Sequence, residues 1–380
     1  MFPSIHESFF LTFAQLPDPR LDRTRDHTLL DILFCSLCAV LCGAEEGTAI
    51  ADFSRARAQW LGQYIDLANG IPSHDTFTRV LGRIDPERFA TCFTAWMSLL
   101  YEHSAGQVIA LDGKTLRRSF DRATGKGAIH MVSAWGSANG LVLGQVKVEA
   151  KSNEITAVPK LLEMLDLAGC IVTADAMSTQ RAIARQIVEQ QGDYVLPVKG
   201  NQPELQADLH AFFESVQADH FLDGEAEPIP HTFFETQERG HGRTETRRCW
   251  ACVPNAQITS ADRWAGLRSV ALLESVRTLN GTTTTDWRYF ISSLPPKAQQ
   301  IMEAVRLHWG IENSVHWVLD VTFNEDKCRV RKDNGAQNMA TLRHITLNVL
   351  KRNVTRKASL KRKRQMAAWD PQFLGELLEI

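Results

Sequence analysis

The clearest hydrophobic pattern in the chain lies in residues 297–321, directly after a Pro-Pro pair. This segment contains no Pro and a single Gly, so it predicts a helix. At 100° per residue, one face of that helix carries Ile301, Val305, His308, Glu312, Val315 and Leu319. A carboxylate that faces a protein core must lose its charge or find a cation. Glu312 therefore predicts either an ion pair with a nearby Arg or Lys or a metal ligand.

The remaining periodicity divides the chain into a helical part and a mixed part. Residues 1–104 predict an N-terminal helical domain, and residues 105–350 predict an α/β core. In that core the strand-like runs QVIALD, AIHMVSAW and LVLGQVKVE come first, and CIVTAD and DYVLPVKG then alternate with helical segments. This order predicts an α/β fold whose sheet is not all parallel. Thr- and Arg-rich strands at about 219–292 predict a β-rich insertion.

One short helix in the N-terminal part has two interpretations. Ser73 is a plausible N-cap, and the helix that follows would display His74, Thr78 and Arg79. The pattern is typical of a simple packing helix, and we favour that interpretation because the fragment lacks a distinct motif. The alternative is a DNA reader that resembles a helix-turn-helix.

Composition changes this picture only locally. Hydrophobic residues make up 44% of the chain, charged residues 23%, and the net charge is −2, as in an ordinary globular protein. Residues 351–380 begin with a run, 351–364, that holds eight Lys or Arg and no acid. There is no signal-peptide pattern and no disulfide-like cysteine pattern, so we expect a cytoplasmic protein that associates with the nucleoid when bound to DNA.

Three acidic residues are candidates for metal chemistry. Asp112 and Asp175 follow apolar strand-like runs, and the ends of strands are where an open α/β sheet presents its site. Glu312 comes from a helix that could pack against that sheet. Convergent carboxylates suit Mg²⁺ or Mn²⁺, and a pair of such ions can stabilise both oxygens of an in-line phosphoryl displacement. The structural alternative for each acid alone is a helix cap or a turn former.

Basic residues near these acids fit a polyanionic substrate such as double-stranded DNA. The candidate DNA-contacting residues are Lys114, Arg117, Arg118, Lys199, Arg243, Arg247, His308, Lys361, Arg362, Lys363 and Arg364. Arg and Lys side chains bind DNA by neutralising its phosphates. The alternatives are a solvated hairpin face around 240–248 and a solvated tail at 351–364.

Several segments together resemble a known family. ALDGKTLRRSF (110–120), GAIHMVSAW (127–135), VTADAM (172–177), YVLPVKGNQ (194–202) and HWGIENSVHWVLDVTFNED (308–326) are similar to insertion-sequence transposases of the DDE superfamily. The group that they resemble most is the H-repeat-associated, ISAs-type group. The resemblance extends over nearly the whole chain.

The resemblance implies a ribonuclease-H-like core interrupted by the β-rich insertion, with Asp112, Asp175 and Glu312 as the metal-binding triad. It implies an enzyme that cuts transposon ends and joins the 3′-OH to target DNA with two Mg²⁺ or Mn²⁺ ions, without a small-molecule cofactor or a membrane partner. It also implies a homodimer or a higher assembly on DNA. One departure concerns positions where related families carry Tyr, Arg and Lys, because this chain has Val305, His308 and Leu319. Only His308 is kept as a candidate DNA contact.

Three alternatives remain open at the level of sequence. A metal-dependent nuclease on the same fold would cut without joining, and a catalytically idle relic would only bind DNA. In addition, the pair Cys249 and Cys252, with His231 or His241, could hold a structural zinc ion, although such a site needs four ligands at defined spacing.

Overall fold

The protein is described by a computed structural model for residues 4–22, 25–101, 104–120, 125, 127–149, 153–221, 229–240 and 242–379. It is a mixed α/β chain with an N-terminal helical region, as the sequence predicts. The chain divides into two compact units. The first contains Met1–His103, Gly113–Asn153 and Glu312–Ile380, and the second contains Ser104–Asp112 and Glu154–Ile311.

The helices and strands of the described residues are numbered in chain order. The helices are α1 (Ile5–Phe13), α2 (Leu29–Leu41), α3 (Gly47–Ala56), α4 (Ala58–Leu61), α5 (His74–Arg83), α6 (Pro86–Leu100), α7 (Glu154–Glu163), α8 (Arg181–Glu189), α9 (Pro203–Phe221), α10 (Ala298–His308), α11 (Trp317–Thr322), α12 (Gly335–Arg352), α13 (Leu360–Trp369) and α14 (Pro371–Leu378). The strands are β1 (Val108–Leu116), β2 (Ile129–Gly136), β3 (Leu141–Lys147), β4 (Ile171–Ala174), β5 (Asp193–Val198), β6 (His231–Gly240), β7 (Arg243–Cys252), β8 (Ser269–Leu279) and β9 (Thr282–Ser292). None of these helices is long and apolar enough to cross a membrane.

The first unit is built around helix α12, whose residues from Gly335 to Leu350 are all buried. Its polar side chains are placed where they satisfy neighbouring backbone groups. Asn348 accepts a hydrogen bond from the Val142 N–H of β3 (3.0 Å) and donates one to the Val142 carbonyl (2.7 Å). Asn338 donates to the carbonyls of Leu81 (2.7 Å) and Ile84 (3.0 Å) at the end of α5. Because buried polar groups need partners, these contacts make a polar helix compatible with a core position.

The second unit is built around a sheet with strand order β1-β4-β5-β9-β8-β7-β6. The pairs β1/β4 and β4/β5 are parallel, and all the later pairs are antiparallel. Helix α10 covers this sheet, and its residues Ile301 and Val305 share a hydrophobic cluster with Val195, Ala251 and Leu273. The apolar stripe predicted for the first part of the 297–321 segment is therefore confirmed, since these residues fill the space above the sheet.

Two strand predictions are refined by the structure. Strand β1 does not end at Asp112 but continues to Leu116, although its parallel ladder with β4 stops at the pair Leu111 and Ala174. Strand β9 pairs with β5, so the strands of the predicted insertion extend the parallel part of the sheet rather than forming a separate layer.

A pH-dependent loss of stability is expected from His344 of α12. Burial and, to a smaller extent, the charges of nearby cations together lower the pKa of this imidazole to about 3. The folded state therefore stays unprotonated where the unfolded chain, with a pKa near 6.5, takes up a proton. The free energy of unfolding should fall by about 1.4 kcal/mol per pH unit as the pH drops from 6.5 towards 3.

The variant His344→Met removes this proton linkage, so its unfolding free energy, measured by urea titration between pH 7 and pH 4, should decline less steeply than that of the wild type. His74→Gln changes an exposed histidine of α5 and should keep the wild-type slope. Equal slopes in wild type and His344→Met would contradict the expectation.

Candidate active site

Asp112 and Asp175 occupy equivalent positions on neighbouring parallel strands of the second unit. The last paired residues of β1 and β4 are Leu111 and Ala174, and each is followed directly by one of the two aspartates. Because parallel strands lie about 4.8 Å apart with side chains in register, the two carboxylates leave the sheet side by side. The side chain of Asp175 is 60% exposed, so it can reach a ligand in solvent.

His308, at the end of α10, lies beside this aspartate pair. Its Nδ1 atom is 3.0 Å from the hydroxyl of Thr173, and its Nε2 atom is 3.8 Å from Asp175 Oδ1. Thr173 lies on β4 and Asp175 directly follows that strand, so His308 contacts the end of β4 and the residue after it. The imidazole is thereby held next to a carboxylate, and the sequence-based role of His308 as a DNA contact stays a prediction.

Glu312 begins a π-helical turn, Glu312–His316, between α10 and α11. The predicted continuous helix over 297–321 is therefore wrong in its middle: α10 ends at His308, and α11 begins at Trp317. The expectation that Glu312 faces the core is also wrong, since its side chain is 58% exposed. A π turn takes one more residue per hydrogen-bonded ring than an α turn, so the 100° register does not carry across it. Val315 and Leu319 remain buried, as predicted.

The carboxylate of Glu312 is held by His316 within this turn. The distance from His316 Nδ1 to Glu312 Oε2 is 3.1 Å, and the imidazole is almost completely buried. Since a carboxylate only accepts, Nδ1 carries the proton in this contact. Glu312 is thus accessible to solvent while one of its oxygens is held by a buried histidine.

Lys114, two residues after Asp112 in the chain, is engaged with three acids of the first unit. Its Nζ atom lies 2.6 Å from Asp320, 3.4 Å from Asp326 and 3.9 Å from Glu325, and the side chain is only 11% exposed. Burial lowers the pKa of Lys114, but the hydrogen bond to Asp320 and the three carboxylate charges outweigh burial and raise it overall. Lys114 therefore stays protonated and has its donors directed into the protein, so its predicted contact with DNA phosphates is not supported by this geometry.

The helical pattern predicted that Glu312 is a buried acid, but the buried acid in this part of the chain is Glu325. Burial raises the pKa of Glu325, and the charges of Arg343 and Lys114 partly oppose that effect. Arg343 Nη1 lies 3.5 Å from Glu325 Oε1, and both side chains are buried. Sequence reasoning missed this pair because Glu325 lies beyond α11. The available signal was Arg343 itself, a charged residue between Leu342 and Ile345 in α12.

Arg243 and Arg247, the candidate DNA contacts in the insertion, are paired with acids. Arg247 contacts Glu245 (2.6 Å) and Glu238 (3.2 Å), and Arg243 lies 3.6 Å from Glu245. Glu238 also forms an ion pair with Arg306 of α10. These carboxylates neutralise much of the positive charge on the strand that the sequence predicted to bind DNA.

The C-terminal basic run separates into exposed and buried residues. Lys361 and Arg362 of α13 are exposed, and Arg362 lies over the ring of Trp369 at 4.8 Å. In contrast, Lys363 donates to the carbonyls of Leu350 and Asn353, and Arg364 donates to those of Thr322 and Val40. Burial lowers the pKa of Arg364 to about 10. Lys363 and Arg364 therefore hold helix ends together and are not available to phosphates, whereas Arg117, Arg118 and Lys199 are exposed.

The cysteines of β7 do not have the geometry of a shared zinc site. Cys249 and Cys252 are three residues apart on one strand, so their side chains lie on opposite faces of the sheet. Burial raises the pKa of each thiol to about 12, which disfavours the thiolate that zinc requires. His231 pairs with Cys252 in the ladder, and His241 lies outside the described residues.

Comparison with known proteins identifies the family. Residues 103–349 match the family described as "Transposase DDE domain", and residues 10–97 match the one described as "DDE_Tnp_1-associated". YncI of Escherichia coli O157:H7, whose name describes a transposase, is 43% identical over 369 residues, which cover 96% of this chain and 92% of that protein. YhhI of Escherichia coli K12, whose name describes an H repeat-associated transposase, is 41% identical over 368 residues, 96% of this chain and 95% of that protein.

The chain therefore belongs to the DDE transposase family, an enzyme family that depends on metal and acts on DNA. Within that family it is an insertion-sequence transposase of the H-repeat type. A protein from the dhlA 3′ region of Xanthobacter autotrophicus, 44% identical over 285 residues (74% of this chain, 92% of that protein), shows that relatives extend beyond Escherichia.

Lys114→Met tests whether this lysine acts inside the protein or on DNA. The change leaves three acids without their shared cation, so the free energy of unfolding should fall by about 3 kcal/mol. The dependence of duplex binding on salt should stay unchanged, because no phosphate contact is lost. Urea unfolding and fluorescence anisotropy at several salt concentrations measure the two effects.

Lys160→Met on the exposed surface of α7 is the matched control, and its stability should stay within about 0.5 kcal/mol of the wild type. A Lys114→Met protein with wild-type stability and a shallower salt dependence would show that the ammonium contacts DNA instead.

Proposed function

We propose that Asp112, Asp175 and Glu312 bind two Mg²⁺ or Mn²⁺ ions in a ribonuclease-H-like core, and that the enzyme cuts transposon ends and joins the freed 3′-OH to target DNA. The observation that carries the proposal is the pairing of Leu111 with Ala174, which sets two aspartates next to each other where the parallel ladder ends. Asp112, Glu312 and His316 are, in addition, candidate ligands for a metal ion. Carboxylate oxygens are the donors that these hard cations prefer.

The metal would supply charge neutralisation at the reacting phosphate and a lowered pKa for the attacking hydroxyl or water. The protein's own contribution is positioning. His316 orients one oxygen of Glu312 through a hydrogen bond, and the His308 imidazole lies 3.8 Å from Asp175. No side chain has to form a covalent bond with DNA, since phosphoryl transfer depends largely on alignment and electrostatic stabilisation.

The DNA-contacting set that we propose is smaller than the set predicted from sequence. It keeps the exposed residues Arg117, Arg118, Lys199, Lys361 and Arg362, of which Arg117 also lies 3.2 Å from Asp326, and His308, which is 18% exposed and lies beside Asp175. Arg243 and Arg247 would contribute only if DNA displaces their acidic partners, and Lys114, Lys363 and Arg364 are assigned to internal contacts. The N-terminal helical domain 1–104, the catalytic domain 105–350 and the basic segment 351–380 remain our proposed organisation, with a homodimer or higher assembly on paired ends.

A strand-transfer assay with a labelled end duplex and a target plasmid tests the proposed reaction. Joined product supports the transposase. Cut product alone would favour a nuclease on the same fold, and a shifted duplex without cleavage would favour a protein that only binds DNA. The assay separates the three alternatives because each leaves a different product on the gel.

Metal dependence is the first expected outcome. Activity should require Mg²⁺ or Mn²⁺, because the proposed ligands are oxygen atoms that suit octahedral ions. Ca²⁺ should permit DNA binding with little turnover, and excess EDTA should stop cleavage but not duplex binding. Full cleavage in excess EDTA would exclude the proposed site.

The second expected outcome concerns Glu312. Glu312→Gln should abolish cleavage and strand transfer, since it removes a charged ligand, while the exposed position should leave the melting temperature nearly unchanged. Asp320→Asn is the matched control: it also removes one carboxylate charge, but it weakens the contact with Lys114, so it should lower stability and keep part of the activity. The assignment is falsified if Glu312→Gln cuts normally and a folded Asp320→Asn does not.

A further inference from the structure

Residues 327–332 form a basic segment that follows the acidic site in the chain and precedes α12. Its sequence, KCRVRK, holds four cations among six residues. Lys327, Arg329 and Lys332 are exposed, whereas Val330 is half-buried and contacts Gly335, where an added Cβ would lie only 2.8 Å from the valine Cγ1. Three cations therefore face solvent, while Val330 anchors the segment at the start of α12.

The second half of this basic segment is fixed to other elements of the first unit. Arg331 Nε donates to the carbonyl of Arg118 (3.0 Å), and its guanidinium lies 4.9 Å from the ring centre of Phe120. After the segment, the Asn334 N–H donates to the carbonyl of Gly82 at the end of α5 (3.0 Å). The segment is therefore a preformed surface rather than a free loop, and its cations lose little entropy when they bind a ligand.

A groove of about 290 Å³ runs between this basic segment and two N-terminal helices, α3 and α5. The residues that characterise this basic groove are Glu46, Gly47, Thr48, Thr78, Arg329 and Lys332. With Arg331, the groove has three cations and one carboxylate among its lining residues. The two helices meet closely here, since a Cβ on Gly47 would lie 2.2 Å from the Thr78 hydroxyl.

The chemistry of the basic groove matches a phosphodiester backbone. Helix α3 begins at Gly47 without a side-chain cap, so its first N–H groups and positive dipole end lie beside the hydroxyls of Thr48 and Thr78. Within the described part of the chain, Arg329 and Lys332 form no ion pair, in contrast to the paired arginines of β7. Unpaired cations, hydroxyl donors and a helix N-terminus are the groups that contact DNA phosphates.

We propose that the basic groove binds the sugar–phosphate backbone of duplex DNA, with Arg329 and Lys332 neutralising phosphates and Thr48 and Thr78 donating hydrogen bonds to them. The proposal rests on the proposed function, because it names the surface on which a DNA transposase holds its substrate. The basic segment directly follows Glu312 and α11 in the chain, so DNA held there is coupled to the segment that carries the proposed catalytic glutamate.

The test compares two double variants of the full-length protein that each lose two cations. In Arg329→Ala/Lys332→Ala, the dependence of log K on log salt for a labelled duplex should become shallower by about 0.9 per lost phosphate contact. Lys160→Ala/Arg185→Ala removes two exposed cations from α7 and α8 and should keep the wild-type slope. The titrations use fluorescence anisotropy in Ca²⁺ buffer from 50 to 200 mM salt, a range over which about six or more phosphate contacts change affinity strongly.

A third variant separates loss of contact from loss of fold. Thr48→Glu places a carboxylate in the first turn of α3, where it should stabilise the helix dipole and at the same time repel phosphate. We expect a melting temperature at or above that of the wild type together with DNA binding that is weaker by on the order of tenfold at 0.1 M salt. The charge-preserving Arg329→Lys/Lys332→Arg should retain the wild-type slope.

The outcomes for the groove and for the reaction are distinguishable. A wild-type slope and affinity in both Arg329→Ala/Lys332→Ala and Thr48→Glu, or a wild-type protein that does not bind the duplex, would overturn the basic groove as a DNA site. If the variants weaken binding as expected but the wild type neither cuts nor joins DNA, the groove stands and the proposed transposition chemistry fails.

Discussion

The first unit depends on the balance of charge around Glu325, which is buried between Arg343 and Lys114. An isolated carboxylate in such a position would be strongly unfavourable, and each cation alone would be equally so. The three groups come from different stretches of the chain: strand β1, the turn after α11, and helix α12. Their mutual neutralisation fixes where the segment that follows Glu312 lies against β1 and α12. It also explains why α12 can carry the buried Arg343.

The strands and the aspartate pair could be predicted because their information is local. Short apolar runs such as QVIALD and CIVTAD form buried strands that pair in parallel up to Leu111 and Ala174, so the aspartate that closes each run follows the last paired residue. The apolar stripe of α10 was equally readable, since Ile301 and Val305 repeat at helical spacing and pack on the sheet. The mixed α/β character followed from the same patterns.

The position of Glu312 could not be predicted, because the π turn changes the register at the glutamate itself. Helical projection assumes a constant rotation per residue, and nothing in IENSVH signals a wider turn. The sequence also did not reveal that two cations of KRKR are exposed and two are buried. Burial of Lys363 and Arg364 is possible only because carbonyls of Leu350, Thr322 and Val40 accept their hydrogen bonds, and those carbonyls come from distant parts of the chain. Lys363 and Arg364, which looked like part of a nucleic-acid-binding tail, thus make internal hydrogen bonds. The basic segment at 327–332 was overlooked because it is short and flanked by acids.

The π turn at Glu312–His316 also has a consequence for how this stretch can vary among related proteins. Such a turn holds one residue more than an α-helix would need over the same length. Deleting a single residue there would let the helix continue regularly, and the residues after the turn would keep their register. Leu319 would then stay in the interior, and Asp320 would stay beside Lys114. Adding a residue would instead rotate everything after the turn by about 100°. The stretch should therefore tolerate the loss of one residue in the turn far better than the gain of one.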